Sequence, residues 1–210
     1  MINKELKKRI LSSTILIPVS FFFIFEGSIT FIFFLSIIFL AMGFEWFKMT
    51  KKKELIRILG LFFLFFSFYS AIYLRQYIGL NFFLFLIIVC IFTDIGGYLF
   101  GKIFKGPKLT KISPKKTISG AIGSFVLCSI FLTSSFYFLT KKFDLTILLI
   151  AIIISSSCQL GDLFFSYLKR KAKVKDTGNF LPGHGGVLDR LDGIFLGVPI
   201  GLILIFLLLS

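Results

Sequence analysis

Followed by its apolar and polar positions, the chain is a series of long apolar runs separated by short lysine-rich breaks. Seven runs stand out, near residues 10–25, 28–44, 56–74, 80–100, 118–139, 145–168 and 187–209. Most are close to the roughly 20 residues an α-helix needs to cross about 30 Å of hydrocarbon. The pattern predicts an all-α, polytopic integral membrane helical bundle of about seven transmembrane helices. We read 1–210 as a single membrane domain, with 1–79 holding the N-terminal spans and 80–210 the spans that carry its chemistry. The first run is short and follows a lysine-rich start, as a signal peptide does. No small-x-small cleavage site follows it, so a retained span is expected, with Glu26, Gly27 and Ser28 as a tight turn.

Charge orients these spans, because Lys and Arg near span ends are retained on the cytoplasmic side. Of the 24 Lys and Arg residues, all but Arg75, Lys141 and Lys142 fall in the N-terminal segment, in the alternate connections that this topology places on one side, or at the start of the span that follows one. The N-terminus is therefore expected in the cytoplasm and the C-terminus outside.

Composition agrees. The chain is 57% hydrophobic with 31 phenylalanines in 210 residues, and its mean hydropathy is +0.96, outside the range of an ordinary soluble domain. Abundant Phe, Ile and Lys with little Ala fits a genome poor in G and C, so the phenylalanines are not read as a binding surface. The net charge of +14 suits basic loops facing anionic lipid, where each charge contributes about 1 kcal/mol. No nucleic-acid reader motif is present, so membrane lipid rather than nucleic acid is the expected partner. Cys90, Cys128 and Cys158 stand singly in apolar runs and read as small core residues.

The carboxylates are placed less evenly than the lysines. Asp94 lies near the inner end of the fourth run, Asp162 near that of the sixth, and Asp189 and Asp192 open the seventh. An Asp in a lipid-embedded helix costs roughly 2.5–3.5 kcal/mol on insertion scales, so such residues usually face a partner, a metal or water. Asp162, flanked by Leu160, Leu163 and two phenylalanines, is hard to explain by solvation at a helix end. Gln159, Asp162, Ser166 and Lys169 share one helical face, as do Asp94, Gly97, Tyr98 and Gly101, where the glycines suit close helix packing. Three helices thus offer acids at one depth, an arrangement for a divalent cation whose oxygen ligands favour magnesium or manganese over zinc. Trp46, beside Glu45 at the end of the second run, reads as a headgroup-level anchor. Glu5, Glu26, Glu54 and Asp144 read as solvated loop charges.

Basic and glycine-rich segments surround these acids. In residues 112–120, Pro114 can open a helix, while Ser113, Lys115, Lys116 and Thr117 offer donors near a helix start that favours anions. Residues 166–176 add Lys169, Arg170, Lys171, Lys173 and Lys175. In "LPGHGGVLDRLD", residues 181–192, glycines bracket the only histidine, His184, so the backbone at Gly185 and Gly186 can approach a ligand closely. Asp189, Arg190 and Asp192 follow at once. Backbone donors, a cation site and a guanidinium there suggest a polyphosphate.

These residues form a pattern that resembles the signature of the phosphatidate cytidylyltransferases, or CDP-diacylglycerol synthases. It runs Ser166-x-Leu168-Lys169-Arg170, Lys175-Asp176-x-Gly178, then Leu181-Pro182-x-His184-Gly185-Gly186-Val187-x-Asp189-Arg190-Leu191-Asp192. Gln159-x-Gly161-Asp162, the Ser113–Thr117 stretch and the Asp94-to-Gly101 helix extend the likeness over about the C-terminal 120 residues. The resemblance implies an inner-membrane enzyme with its site on the cytoplasmic face, joining CTP and phosphatidic acid into CDP-diacylglycerol and pyrophosphate. It also implies one or two Mg2+ ions and a homodimer. Carried over residue by residue, Asp162 and Asp189 are metal-linked acids, with Asp192 and Asp94 as further candidates. Asp162, Asp189, Lys169, Arg190 and His184 form the catalytic set. Ser113, Lys115, Lys116, Thr117, Ser166, Arg170, Lys175, Gly185 and Gly186 form the phosphate-binding set. His184 is read as a phosphate donor or positioning group first, a general acid second and plain loop structure third.

Two other readings stand beside this one. A CTP-dependent lipid kinase would release CDP instead of pyrophosphate. A transporter needs polar groups through its whole depth, whereas the outer parts of the fourth, sixth and seventh runs are almost wholly apolar.

Overall fold

The computed structural model describes residues 4–51 and 54–209. Lys52 and Lys53, two of the basic residues used to orient the chain, lie outside the described residues. The order is α1 (Lys4–Glu26), α2 (Ser28–Met49), α3 (Glu54–Tyr73) continuing into a π-helical turn (Leu74–Ile78), α4 (Leu80–Phe104), α5 (Ile118–Thr140), α6 (Leu145–Lys171), a four-residue α7 (Leu188–Leu191) and α8 (Ile194–Leu209). Among the described residues there are no strands, only isolated bridges between Lys108 and Thr117 and between Leu181 and Gly185.

Six of these helices are long and apolar enough to cross a membrane, and the protein is a multi-pass membrane protein. The seventh expected span is not one helix. Its run is interrupted at Asp192 and Gly193, leaving α8 with 16 residues. At 1.5 Å per residue that is about 24 Å, short of the roughly 30 Å core. The Asp192 side chain accepts the Gly193 N–H at 3.0 Å, a local bond that competes with helix continuation. Pro199, buried inside α8, removes a further backbone donor.

The chain divides into two compact units, one formed by Met1–Phe83 with Lys169–Leu191, the other by Leu84–Leu168 with Asp192–Ser210. In the first, α1 and α2 are joined at Gly27, which takes φ +68°, a conformation glycine adopts without strain. Arg75 braces this turn. Its Nε donates to the Ile24 carbonyl at 2.7 Å and its Nη2 to that of Phe25 at 2.9 Å, while Gln76 Nε2 donates to Ser28 O at 2.7 Å. At the opposite end of α2, Trp46 is 1% exposed. Its indole N–H donates to Arg57 O at 3.0 Å, and its ring fills the space left by Gly60 of α3. Trp46 is therefore a buried wedge between α2 and α3, not the headgroup anchor expected of it.

The second unit rests on close contact between α4 and α5. A methyl at Gly96 would lie 2.7 Å from the Gly123 carbonyl oxygen, and one at Gly120 would lie 2.6 Å from that of Gly97. The small residues expected to admit close packing do so, and Ser124 Oγ donates to Thr93 O at 2.6 Å across the seam. Cys90, Cys128 and Cys158 are buried free thiols, as read. Phe165 of α6 packs edge-on against Phe195 of α8, with centroids 5.2 Å apart. Pro114 does not open α5. It sits in a turn closed by Lys116 N–H to Ser113 O at 3.0 Å, and the helix starts at Ile118 behind an N-cap at Thr117, whose hydroxyl oxygen accepts the Gly120 N–H at 3.1 Å.

Candidate functional site

The polar residues singled out in the sequence form two clusters, one in each unit. In the first unit the centre is Asp189, at the start of α7. Its Oδ1 accepts from Lys169 Nζ at 2.7 Å, and the two side chains are only 6% and 14% exposed. Its Oδ2 accepts the N–H groups of Thr177 at 2.8 Å and Gly186 at 3.0 Å, and lies 3.0 Å from the Thr177 hydroxyl. Burial opposes charge on Asp189, but the Lys169 ammonium and the Thr177 and Gly186 N–H groups outweigh it and hold the carboxyl below its ordinary value. The acid is thus ionised and aimed, with spare acceptor capacity on Oδ1 beside the lysine.

The glycine loop does not present its backbone as the sequence suggested. Gly185 N–H donates to Leu181 O at 3.1 Å, and Gly186 N–H to Asp189. The N–H groups of Val187 and Leu188 donate to the Glu45 carboxylate at 2.9 and 3.0 Å. These donors serve the Leu181 carbonyl, Asp189 and Glu45 of α2, and bend the loop tightly.

His184 is packed against α1. Its Nδ1 lies 2.8 Å from Ser12 Oγ, and its Nε2 lies 3.5 Å from Ser13 Oγ. Arg9 Nε donates to Gly183 O at 2.8 Å. Arg190 folds back so that Nε and Nη2 donate to His184 O at 3.2 and 2.7 Å. Partial burial, then the positive charges of Arg190 and Arg9, hold the imidazole below its ordinary value, so it is neutral at pH 7. A neutral ring can donate one hydrogen bond to a phosphate but offers no readily lost proton for general acid work. Arg170 and Lys175 are exposed.

In the second unit Asp162 is ion-paired with Lys116, and Ser166 Oγ donates to it at 3.4 Å. Ser113 is half-buried and Lys115 exposed on the turn that carries Lys116. Thr117 is committed to capping, with Ser119 Oγ 3.0 Å from its hydroxyl. Asp94 stands on α4 within electrostatic reach of Asp162 and Lys116. The Asp192 backbone packs against Gly161, where an added methyl would lie 2.5 Å from its carbonyl oxygen. Among the described residues no group of three or more His, Cys, Asp and Glu stands ready to hold a metal ion.

Four residues of the first cluster were not singled out as site residues: Arg9, Ser12, Glu45 and Thr177. Arg9 was read as a topology charge and Glu45 as the end of a span. For Glu45 a signal did exist, since an acid inside an apolar run needs a partner, and Gly178 and Gly186 leave room for one.

The cytidylyltransferase family model matches residues 53–208. The chain is 36% identical over 210 residues to the phosphatidate cytidylyltransferase of Rickettsia bellii, covering 94% of this chain and 90% of that one. To the protein of the same name in Rickettsia felis it is 35% identical over 208 residues, 91% and 88% of the two chains. Against the phosphatidate cytidylyltransferase of Staphylococcus aureus identity is 43% over 124 residues, 58% of this chain and about half, 48%, of that one. With the acidic and basic residues of the signature gathered as described, this chain belongs to the cytidylyltransferase family.

Proposed function

We propose that the protein is a CTP:phosphatidate cytidylyltransferase acting on the cytoplasmic face of the inner membrane, with its N-terminus in the cytoplasm. One observation carries the reading furthest. In a chain whose exposed surface is largely apolar, an ionised Asp189 and Lys169 are held 2.7 Å apart, nearly buried, by the segment that matches the signature. Lipid phosphate and nucleotide phosphates both need such anchored charges at a membrane surface. In support, two relatives that carry this name match over nine-tenths of the chain.

The chemistry is an in-line displacement. A phosphate oxygen of phosphatidic acid attacks the α-phosphorus of CTP, the new P–O bond forms, the bond from that phosphorus to the bridging oxygen breaks, and pyrophosphate leaves. No strong general base is needed, because a phosphate monoester with a second pKa near 6 is mostly dianionic at neutral pH. Lys116, Lys169, Arg170, Lys175 and Arg190 bind and orient the phosphates, with Arg190 suited to a two-point grip. His184, neutral, donates a hydrogen bond from one ring nitrogen.

Magnesium fits this donor set only as an ion shared with substrate. The described residues offer no all-protein cage, yet Mg2+ is commonly held by one or two carboxylates with phosphates and water completing its shell. Asp189 in the first unit and Asp162 in the second are each candidates to hold such an ion, Asp94 and Asp192 being further candidates if two ions bind, and when bound it would neutralise phosphate charge. A homodimer is part of the same proposal, supported by resemblance alone.

The test is purified protein with labelled CTP, phosphatidic acid and magnesium. CDP-diacylglycerol and pyrophosphate are expected; release of CDP would instead make it a lipid kinase. Asp162→Asn and Asp189→Asn should each stay in the membrane and lose turnover by at least about a hundredfold, the scale of removing a preorganised charge partner. Near-normal turnover in either variant removes that acid from the site.

A further inference from the structure

Glu45 has no part in the chemistry above, and it precedes the residues matched by the family model. It is nevertheless 1% exposed, deeper than Asp189. A carboxylate so far from water persists only where the chain supplies its hydrogen bonds. Three donors from the signature loop meet it: the Val187 N–H on Oε1 at 2.9 Å, and the Leu188 N–H at 3.0 Å with the Thr177 hydroxyl at 2.8 Å on Oε2. Thr177 then reaches Asp189 Oδ2 through its own N–H at 2.8 Å. One oxygen of Asp189 is pinned on the side that Glu45 braces, which turns the other toward Lys169. Two glycines complete the fit. A methyl at Gly178 would lie 2.5 Å from Glu45 Oε1, and one at Gly186 would lie 2.5 Å from Oε2. Neither glycine has a positive φ, so space is what keeps a side chain out of both positions: at Gly178 the space belongs to Glu45 alone, at Gly186 to the Thr177 hydroxyl together with Glu45.

We propose that Glu45 is a positioning residue for cytidylyl transfer: through Thr177 and the N–H groups of Val187 and Leu188, it sets the orientation in which Asp189 faces the reacting groups. The inference rests on the reading of Asp189 as an active-site acid. Glutamine is not a substitute at position 45, because its amide NH2 must face either the Val187 or the Leu188 N–H, donor against donor.

The experiment compares Glu45→Gln, Thr177→Val and Thr177→Ser in the purified full-length enzyme. Glu45→Gln and Thr177→Val should each lower kcat by about 10- to 100-fold, as loss of a supporting hydrogen bond commonly does, with the KM for CTP little changed. Thr177→Ser, which keeps the hydroxyl, should retain most of kcat. The Glu45→Gln/Thr177→Val double variant should be no slower than the slower single one, because both cut the same link. Equal activity of Thr177→Val and Thr177→Ser, or multiplicative losses in the double variant, would overturn the proposal.

A second measurement is independent of turnover. Gly178→Ala should lower the Tm of the wild-type protein and have little effect in a Glu45→Ala background, since the three atoms nearest the added methyl all belong to Glu45. Additive Tm losses would also overturn it. A wild-type protein that makes no CDP-diacylglycerol sinks the functional reading instead, and the thermal cycle still decides whether Glu45 holds the loop.

Discussion

At the scale of single residues, the site is a set of charges whose protonation is arranged by neighbours. Asp189 is held below its ordinary value and His184 likewise, but the two consequences for stability fall in different pH windows. For His184 the folded protein binds its proton less readily than the unfolded chain does. Its contribution is full above the ordinary imidazole value of about 6.5 and is lost as pH falls through and below it. For Asp189 the contribution is full above the ordinary carboxylate value of about 3.9 and is lost as pH falls toward its lowered value. Thermal unfolding in detergent should therefore show Tm declining between about pH 7 and pH 5, and His184→Gln should flatten that slope while leaving the steeper loss below about pH 4 in place. An unchanged slope in the variant would show that the imidazole environment is not as drawn. Asp162, Lys169, His184 and Asp189 could be picked out as candidates from the sequence, because polar groups are costly in an apolar chain. Their partners were not. Thr177 is an ordinary loop residue until the fold places it between two carboxylates.

At the scale of elements, helix ends decide more than helix interiors. The apolar runs mark the helices well, yet the last run breaks at Asp192 and Gly193, and α5 begins at Ile118 instead of Pro114. In both places a short polar side chain bonds nearby backbone and stops or starts the helix, a competition that hydrophobic periodicity does not register. Arg75 is the clearest case of an end held from a distance, since it satisfies two carbonyls at the end of α1 from a position some fifty residues later. Arg75→Met should cost about 2 kcal/mol, in the range for hydrogen bonds to charged groups. Arg75→Lys, without the planar fork, should recover only part of it. Thermal unfolding checks the loss, and the KM for CTP should not move, because Arg75 lies at the end of α1–α3 opposite Glu45 and the signature loop.

At the scale of the whole molecule, charge asymmetry and helix length together support the proposed topology. In the first unit Arg9 and Glu45 meet the signature loop at one end of α1–α3, while Arg75 closes the other. That arrangement accords with the division of basic residues along the chain. Cysteine labelling checks it directly. The native cysteines are buried, so Lys173→Cys and Lys142→Cys can be read against them with a membrane-impermeant maleimide. Position 142 should react in intact cells and position 173 only after the inner membrane is opened. The reverse pattern would invert the proposed orientation and put the site on the outer face.

What the amino-acid sequence determined alone is the kind of molecule this is: an apolar chain must bury its backbone polar groups in helices, and the rare polar residues it keeps advertise chemistry by their cost in lipid. The signature from Ser166 to Asp192 carried the family for the same reason. Only the tertiary structure decided how the charges are held. Glu45 and Thr177 lie 132 positions apart in the chain and become partners because α2 ends where the loop turns back. Trp46 became core by meeting Gly60. Hydrogen bonds between distant positions depend on distances of a few tenths of an ångström, and those follow from packing, which no local pattern of residues encodes.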